Sequence, residues 1–412
     1  MVKKIYTSID IGSDTIKVVV LELYRNRLNL LAASSVKSSG VKRGLITNGV
    51  AALTALKSAI SDVEAILGIK IKKVLASIPS HYANYGYSKV NVGVVNEIIN
   101  EEDINNILKE SIKGKVLADH ELISILPIDF TVDERSEIKD PKGLSGKTLE
   151  CRSIIVTTPK KNLYSVVSLI EEAGIEVVDV SINGTGDGYA FRSKDNSLDV
   201  GAVINIGAEI TTVSVYNRGI IVRGEVIPLG GRNIDSDIAY IFKLSLNNAS
   251  KLKEKFAVAH RRLASVNDIR EIENIAGEII KVNQFELSEV VMSRMEEILE
   301  LAKKEIFSLT NKKMHYIIIT GGSSHLFNLQ MIAEEVLDKT VEIGEVKVLG
   351  ARNNKYSAAI GNVVYFINKL NLRGKTYSML SVSEQEEIAE VKRNDVIGSS
   401  TLSRVFGFFI NE

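Results

Sequence analysis

Cysteine is nearly absent from the 412 residues, with Cys151 standing alone. An intrachain disulfide is thereby excluded, and the composition suits a reducing compartment. Cys151 reads as an ordinary core thiol. Histidine is scarce too: His81, His120, His260, His315 and His325 are scattered. None stands with Cys or carboxylates at metal-ligand spacing, so no protein-ligated zinc is expected. Net charge is missing, with 51 Lys+Arg against 51 Asp+Glu. No bulk field therefore attracts nucleic acid or an anionic membrane, and no nucleic-acid partner is expected. No apolar run reaches the roughly 18 residues that a membrane-spanning helix needs. The opening "MVKKIYTSIDIG" enters a strand at once, which argues against a signal peptide. What remains is a globular composition, 45% apolar and 25% charged, in a chain too long for one core.

The first positive signal is an internal repeat. "DIGSDTIKVVVLEL", from Asp10, matches "NIGAEITTVSVYNR", from Asn205, at one constant offset: Ile11 with Ile206, Gly12 with Gly207, Val18 with Val213, Val20 with Val215. Each copy follows an apolar strand, turns through Gly into a β-rich stretch, and returns across a "YRNR" or "YNRG" turn. Duplication of about half the chain implies two related domains.

The turn residues carry the chemistry. Gly12 and Gly207 can expose backbone N–H groups at close range. Ser13, Thr15, Thr211 and Thr212 add hydroxyl donors, and Lys17 adds a point charge suited to phosphate. Two such loops face to face would clamp a polyphosphate. Asp10, at the end of its strand, would hold Mg²⁺ through water, because magnesium keeps its hydration shell. Taken singly, either loop also reads as an ordinary hairpin with a Gly turn.

A third stretch tips the balance. "HYIIITGGSSHLFNLQMIAEEV" predicts a buried strand, a Gly-Gly turn and a helix with Ile332, Val336 and Leu337 on one face. Gly321 and Gly322 allow the flat approach of a nucleoside. Ser323 is expected to cap the helix, whose dipole would then face an anion. "YSAAIGNVVYFI" predicts a helix with small Ala358, Ala359 and Gly361 on one side, suited to close crossing. Its counterpart in the first half is "DVSINGTGDGYAF".

Phosphate loop, hinge helix, phosphate loop, adenosine Gly-Gly, hinge helix: in this order the chain resembles the actin-like ATPase superfamily, and within it the FtsA family of bacterial cell-division proteins. The resemblance covers nearly the whole chain. It implies an α/β fold, the actin-like (ribonuclease H-like, duplicated) two-domain fold with a nucleotide cleft, a displaced inserted subdomain (1C) and a C-terminal amphipathic helix. Subdomain 1A would take residues 1–83 and 157–195, 1C residues 84–156, 2A residues 196–230 and 312–380, and 2B residues 231–311. A flexible linker would follow at 381–398, then a membrane-targeting helix at 399–412. In the second long helix of 2B, Val290, Met292, Met295, Ile298 and Leu299 are expected to form the core-facing stripe.

The resemblance further implies ATP with Mg²⁺, and adds Gly231, Ser250 and Lys253 to the nucleotide contacts. Arg294 falls where the family carries an arginine that receives the acidic C-terminal peptide of FtsZ; a solvated helix charge is the alternative. Other implied partners are further copies of the chain in a filament, membrane lipids and later division proteins, at the cytoplasmic face of the membrane at the septum. Three departures stand out. Asn205 replaces the Asp of many relatives, with Ala208-Glu209 in place of Gly-Gly. Ser250 stands where relatives often have Glu, and Asp235 where they have Thr. Asn205 cannot act as base for an attacking water. ATP is therefore expected to be regulatory and the chain at most a slow ATPase. The alternatives are a pilus-assembly adaptor of similar architecture (PilM-like) and a small-molecule kinase, the latter disfavoured by Asn205.

The end of the chain has a period of its own. Leu402, Val405, Phe406 and Phe409 fall at i, i+3, i+4 and i+7, with Ile410 extending the stripe. A helix docked on the core is one reading. An interfacial membrane anchor, which the resemblance also implies, is the other. Four side chains give a ceiling of roughly 6–12 kcal/mol, from which nucleating so short a helix subtracts. One anchor should bind lipid reversibly and an array of them firmly.

Overall fold

Apolar strands broken by Gly and by Arg-Asn or Arg-Gly pairs dictate two similar meanders. A computed structural model of the chain describes residues 3–193, 199–351 and 353–388. The first meander is β1 (Lys4–Ile11), β2 (Thr15–Tyr24) and β3 (Arg27–Lys37), all antiparallel. Arg25 and Asn26 make its second turn, both with positive φ, as a tight hairpin of this twist requires. A ribbon of β4 (Val41–Lys42) and β5 (Leu45–Ile46) leads to α1 (Gly49–Leu67), capped by the Asn48 side chain. β6 (Lys73–Ile78) then runs parallel to β1.

The chain next leaves this sheet. β7 (Asn84–Gly93), α2 (Glu101–Glu110), β8 (His120–Val132), β9 (Arg135–Ile138) and β10 (Thr148–Pro159) form a separate unit. Its sheet has the order β7-β10-β8-β9, and its own core includes Ile104, Ile107, Phe130, Leu149 and Cys151. Burial there pushes the Cys151 thiol up to about 12. α3 (Lys160–Glu172) returns the chain to β11 (Glu176–Ile182), which completes the first sheet as β11-β6-β1-β2-β3, and α4 (Asn183–Ala190) follows.

The second half repeats the plan. β12 (Val200–Ile206), β13 (Thr211–Asn217) and β14 (Ile220–Ile227) form the meander. A detour carries α5 (Gly231–Ile241), α6 (Leu246–Phe256), the hairpin β15 (Ile269–Glu273) and β16 (Ile279–Asn283), and α7 (Gln284–Leu309). β17 (Tyr316–Thr320) pairs in parallel with β12. α8 (Leu329–Leu337), β18 (Glu342–Ile343) and α9 (Ser357–Leu372) follow. The sheet order β14-β13-β12-β17-β18 is that of the first sheet. Even the register is shared: Asp10 lies opposite Lys17 as Asn205 lies opposite Thr212. The Gly12 N–H donates to Thr15 O at 3.1 Å, the Gly207 N–H to Ile210 O at 2.9 Å.

The two halves meet where α4 crosses α9. A Cβ on Gly361 would lie 1.7 Å from Gly186 O, so the helices touch backbone to backbone and no side chain larger than hydrogen fits. α4 ties itself to the second sheet, since Tyr216 Oη donates to Gly184 O at 2.5 Å. α9 lies on the first sheet, its Phe366 ring edge-on to Tyr6.

This corrects the expected boundary at residue 380. Ala359, Ile360, Val363 and Phe366 belong to the core built on β1 and β6, because the apolar face of α9 finds that sheet and not its own. The expected linker at 381–398 also starts later. The Met379 N–H donates to Ile5 O at 2.9 Å, residues 382–388 are helical, and Glu384 pairs with Lys72 at 2.8 Å. Leu380 and Ile388 are buried, so apolar side chains hold this stretch down despite its polar composition. In α7 the buried stripe runs through Leu287, Val291, Met295, Ile298 and Leu299, leaving Val290 and Met292 half-buried beside it. The expected linker residues 389–398 and the helix 399–412, with Leu402, Val405, Phe406, Phe409 and Ile410, lie outside the described residues.

Candidate nucleotide cleft

The shared register brings the two Gly turns to the same cavity of about 550 Å³, which both halves line. From the first loop come Asp10, Gly12, Ser13, Thr15 and Lys17; from the second, Asn205, Gly207 and Thr212. Gly231, Ser250, Lys253, Gly321, Gly322 and Ser323 line it as well. Of the nucleotide residues read from sequence only Thr211 is turned away. It is fully buried and its hydroxyl donates to Leu229 O at 2.9 Å, because alternation along β13 points Thr211 and Thr212 to opposite faces.

Ser323 needs a second correction. The turn after Gly321 is a single 3₁₀ turn, Gly322–His325. α8 starts only at Leu329, behind Asn328 in the left-handed conformation and without a side-chain cap. No α-helix therefore aims its N-terminus from Ser323. Gly321 is the residue the turn demands: its φ is 93°, and a Cβ there would lie 2.5 Å from Ile206 O.

The charges are arranged in pairs. Lys17 Nζ meets Asp10 Oδ2 at 2.9 Å, both nearly buried. Lys355, also on the cleft, has its ammonium pushed down by burial and by the charge of Lys17. Two cations that repel each other in a concave site suit a polyanion. Across the mouth, Arg232 reaches Asp14 at 3.0 Å and Glu209 at 3.2 Å. Glu209 also accepts the Arg43 N–H at 2.6 Å. Burial pushes the Asp14 carboxyl up, but Lys37 and Arg232 outweigh it and hold the group below the usual carboxylate range. Lys253 is committed inside the protein: its ammonium binds Asp235 at 2.7 Å and Gly231 O at 3.0 Å, fixing α6 to the start of α5. Ser250 Oγ donates to Glu254 at 3.3 Å.

Sequence reading missed Asp187, Arg232 and Lys355. Asp187 sits under the cleft floor, 2% exposed. It accepts from Asn205 Nδ2 at 2.7 Å and from Ser357 Oγ at 2.6 Å. Burial raises its carboxyl to about 6 against the opposing pull of these two donors. The signal for it was an acid among the glycines of a helix meant for close packing.

A second concavity, about 220 Å³, lies between α5 and α7 and is lined by Asp237, Tyr240, Ile241, Val290, Arg294 and Glu297. Arg294 forks onto Asp237, with Nε at 2.6 Å and Nη2 at 3.0 Å, and also pairs with Glu297. The guanidinium is thus already engaged by two carboxylates. What the groove offers freely is the exposed Tyr240 and Ile241.

The sequence model of the family described as "Cell division protein FtsA" matches residues 202–361, and that of the "SHS2 domain inserted in FTSA" matches 80–157. The cell division protein FtsA of Streptococcus pneumoniae is 30% identical over 86% of this chain and 78% of its own. That of Bacillus subtilis is 28% identical over 90% and 86%. Among solved structures, the PilM-PilN type IV pilus biogenesis complex superposes with a TM-score of 0.60 at 14% identity, over 87% of this chain and 98% of that one. MreB5 of Spiroplasma citri bound to ADP gives 0.55 at 14%, over 89% and 98%. These likenesses establish the actin-like fold.

Proposed function

The chain belongs to the cell division protein FtsA family, and from that premise we propose that this actin-like division protein binds ATP with Mg²⁺ and links FtsZ filaments to the membrane. The observation that carries the nucleotide part is the single cavity on which both Gly turns, Gly321 and Gly322 converge. Lys17 and Lys355 supply positive charge for the phosphates. Asp10, with one oxygen held by Lys17, suits a hydrated Mg²⁺. The MreB5 structure holds ADP, which supports the same use of this cleft.

Gly322 offers a clean test, because a Cβ there meets nothing within 4 Å. Gly322→Val should fold normally and fill only nucleotide space. Binding of a fluorescent ATP analogue should fall at least about ten-fold, or roughly 1.4 kcal/mol; wild-type affinity would remove the cleft from the account. Hydrolysis should be slow, because Asn205 supplies no base. Phosphate release near a typical enzyme's roughly 10 per second would contradict that.

The membrane link rests on the apolar period of residues 402–410 and the FtsZ link on the α5–α7 groove. ATP closing the two halves on each other would favour self-association into a filament, in which weak anchors add up. Later division proteins would be recruited to that filament at the septum.

A further inference from the structure

Asn205 is the repeat counterpart of Asp10, so a neutral amide stands where the duplication would place a second carboxylate. Its orientation is fixed from below. The ionised form of a carboxylate only accepts hydrogen bonds, and Asp187 Oδ2 lies 2.7 Å from Asn205 Nδ2. The other oxygen of Asp187 is held by Ser357 Oγ at 2.6 Å, so the carboxylate cannot swing aside. α4, β12 and α9 each contribute one member of this buried trio. With its nitrogen turned inward, Asn205 presents Oδ1 on the opposite side, 2.5 Å from where a Gly321 Cβ would be, and Asn205 lines the cleft.

We propose that Asp187 is a positioning residue: it holds the Asn205 carboxamide so that its oxygen faces the cleft as an acceptor for the hydrated divalent cation of a bound nucleoside triphosphate. The proposal rests on the nucleotide reading above. Magnesium keeps several waters, and those waters are donors. Asp10 from the first loop and the Asn205 oxygen from the second give them acceptors on both sides. An amide nitrogen in the same place would meet them donor to donor. Aspartate at 205 would set two carboxylates in contact and trap a proton between them. The Asn–Asp pair keeps one charge and an acceptor without that conflict.

The test compares binding of a fluorescent ATP analogue in Mg²⁺ and in EDTA, with melting temperature as the control for folding. Asp187→Asn lets residue 187 donate to Asn205 and frees the amide to flip. Affinity in Mg²⁺ should drop about ten-fold, as loss of a charge-supported hydrogen bond implies, while affinity in EDTA stays within about two-fold. Asp187→Asn with Asn205→Asp moves the carboxylate to 205 and should restore the Mg²⁺ preference. Asn205→Ala, which leaves Asp187 and Ser357 in place, should lose it. Equal losses in Mg²⁺ and EDTA for Asp187→Asn, no loss in either, or a Mg²⁺ preference surviving in Asn205→Ala would overturn the proposal. Wild-type protein that binds neither form would bring down the nucleotide reading, and this inference with it.

Discussion

Asp187 gains little from ionising where it sits. Burial raises its carboxyl to about 6 from 3.8, and the neighbouring charge of Asp10 acts in the same direction, while Asn205, Ser357 and Lys17 oppose it. Folding therefore favours the protonated form. The wild-type chain should lose stability relative to Asp187→Asn, which does not titrate, as pH rises from about 4 through 6. A shift of about two units corresponds to about 3 kcal/mol. Urea denaturation of both chains at pH 4.5 and 7.5 checks this, and a constant difference between them would refute it. At this scale the cleft was largely legible. The glycines and hydroxyls of the loops announce themselves because a tight turn and a phosphate both restrict residue type. Asp187 was not legible because its neighbours come from three distant segments, and only the crossing of α4 and α9 makes them neighbours.

Helices were read well wherever one apolar face met one sheet. α8 and α9 show where that reading stops. The length of "SSHLFN" between strand and helix gives no cue to a 3₁₀ turn, and α8 starts only at Leu329, well after the cap that Ser323 suggests. α9 has the pattern of any buried helix, and nothing in a period says which sheet will bury it. The groove between α5 and α7 carries a prediction at this level. Because Arg294 is already forked onto Asp237 and Glu297, its charge is largely spent. Tyr240→Ala should weaken binding of an FtsZ C-terminal peptide by about 1–2 kcal/mol, as loss of an exposed aromatic anchor does. Arg294→Ala should change it by less than about 1 kcal/mol. Fluorescence anisotropy decides, and the reverse ranking would return the acidic contact to the centre of the account. The tail carries another prediction. Removing residues 399–412 should leave melting temperature and ATP binding intact and abolish pelleting with liposomes. A truncated chain that still pellets would sink the anchor.

At the scale of the molecule, three sets of contacts join what the sequence order separates. The helices α4 and α9 each pack against the sheet of the opposite half. The inserted unit belongs to the first half by connection, yet Asp129 on β8 holds Arg218 of the β13–β14 turn at 3.1 Å. Arg223 on β14 donates to Tyr85 O on β7 at 2.6 Å. The stretch up to residue 388 closes over β1 and β6. The inserted unit is thereby tied to β14 and to the β13–β14 turn, and β13 lends Thr212 to the cleft.

The packing of α9 and the residues after it on β1 and β6 also bears on how the protein comes into being. A growing chain usually folds its leading domain first. Here β1, β2, β3 and β6 of the first sheet precede Pro79, but the helix that covers them begins only at Ser357 and the strap runs on to Ile388. One apolar face of that sheet must stay open, or be held by a chaperone, until α9 and the residues to Ile388 have been made. The first half therefore cannot finish assembling before the second half has been made.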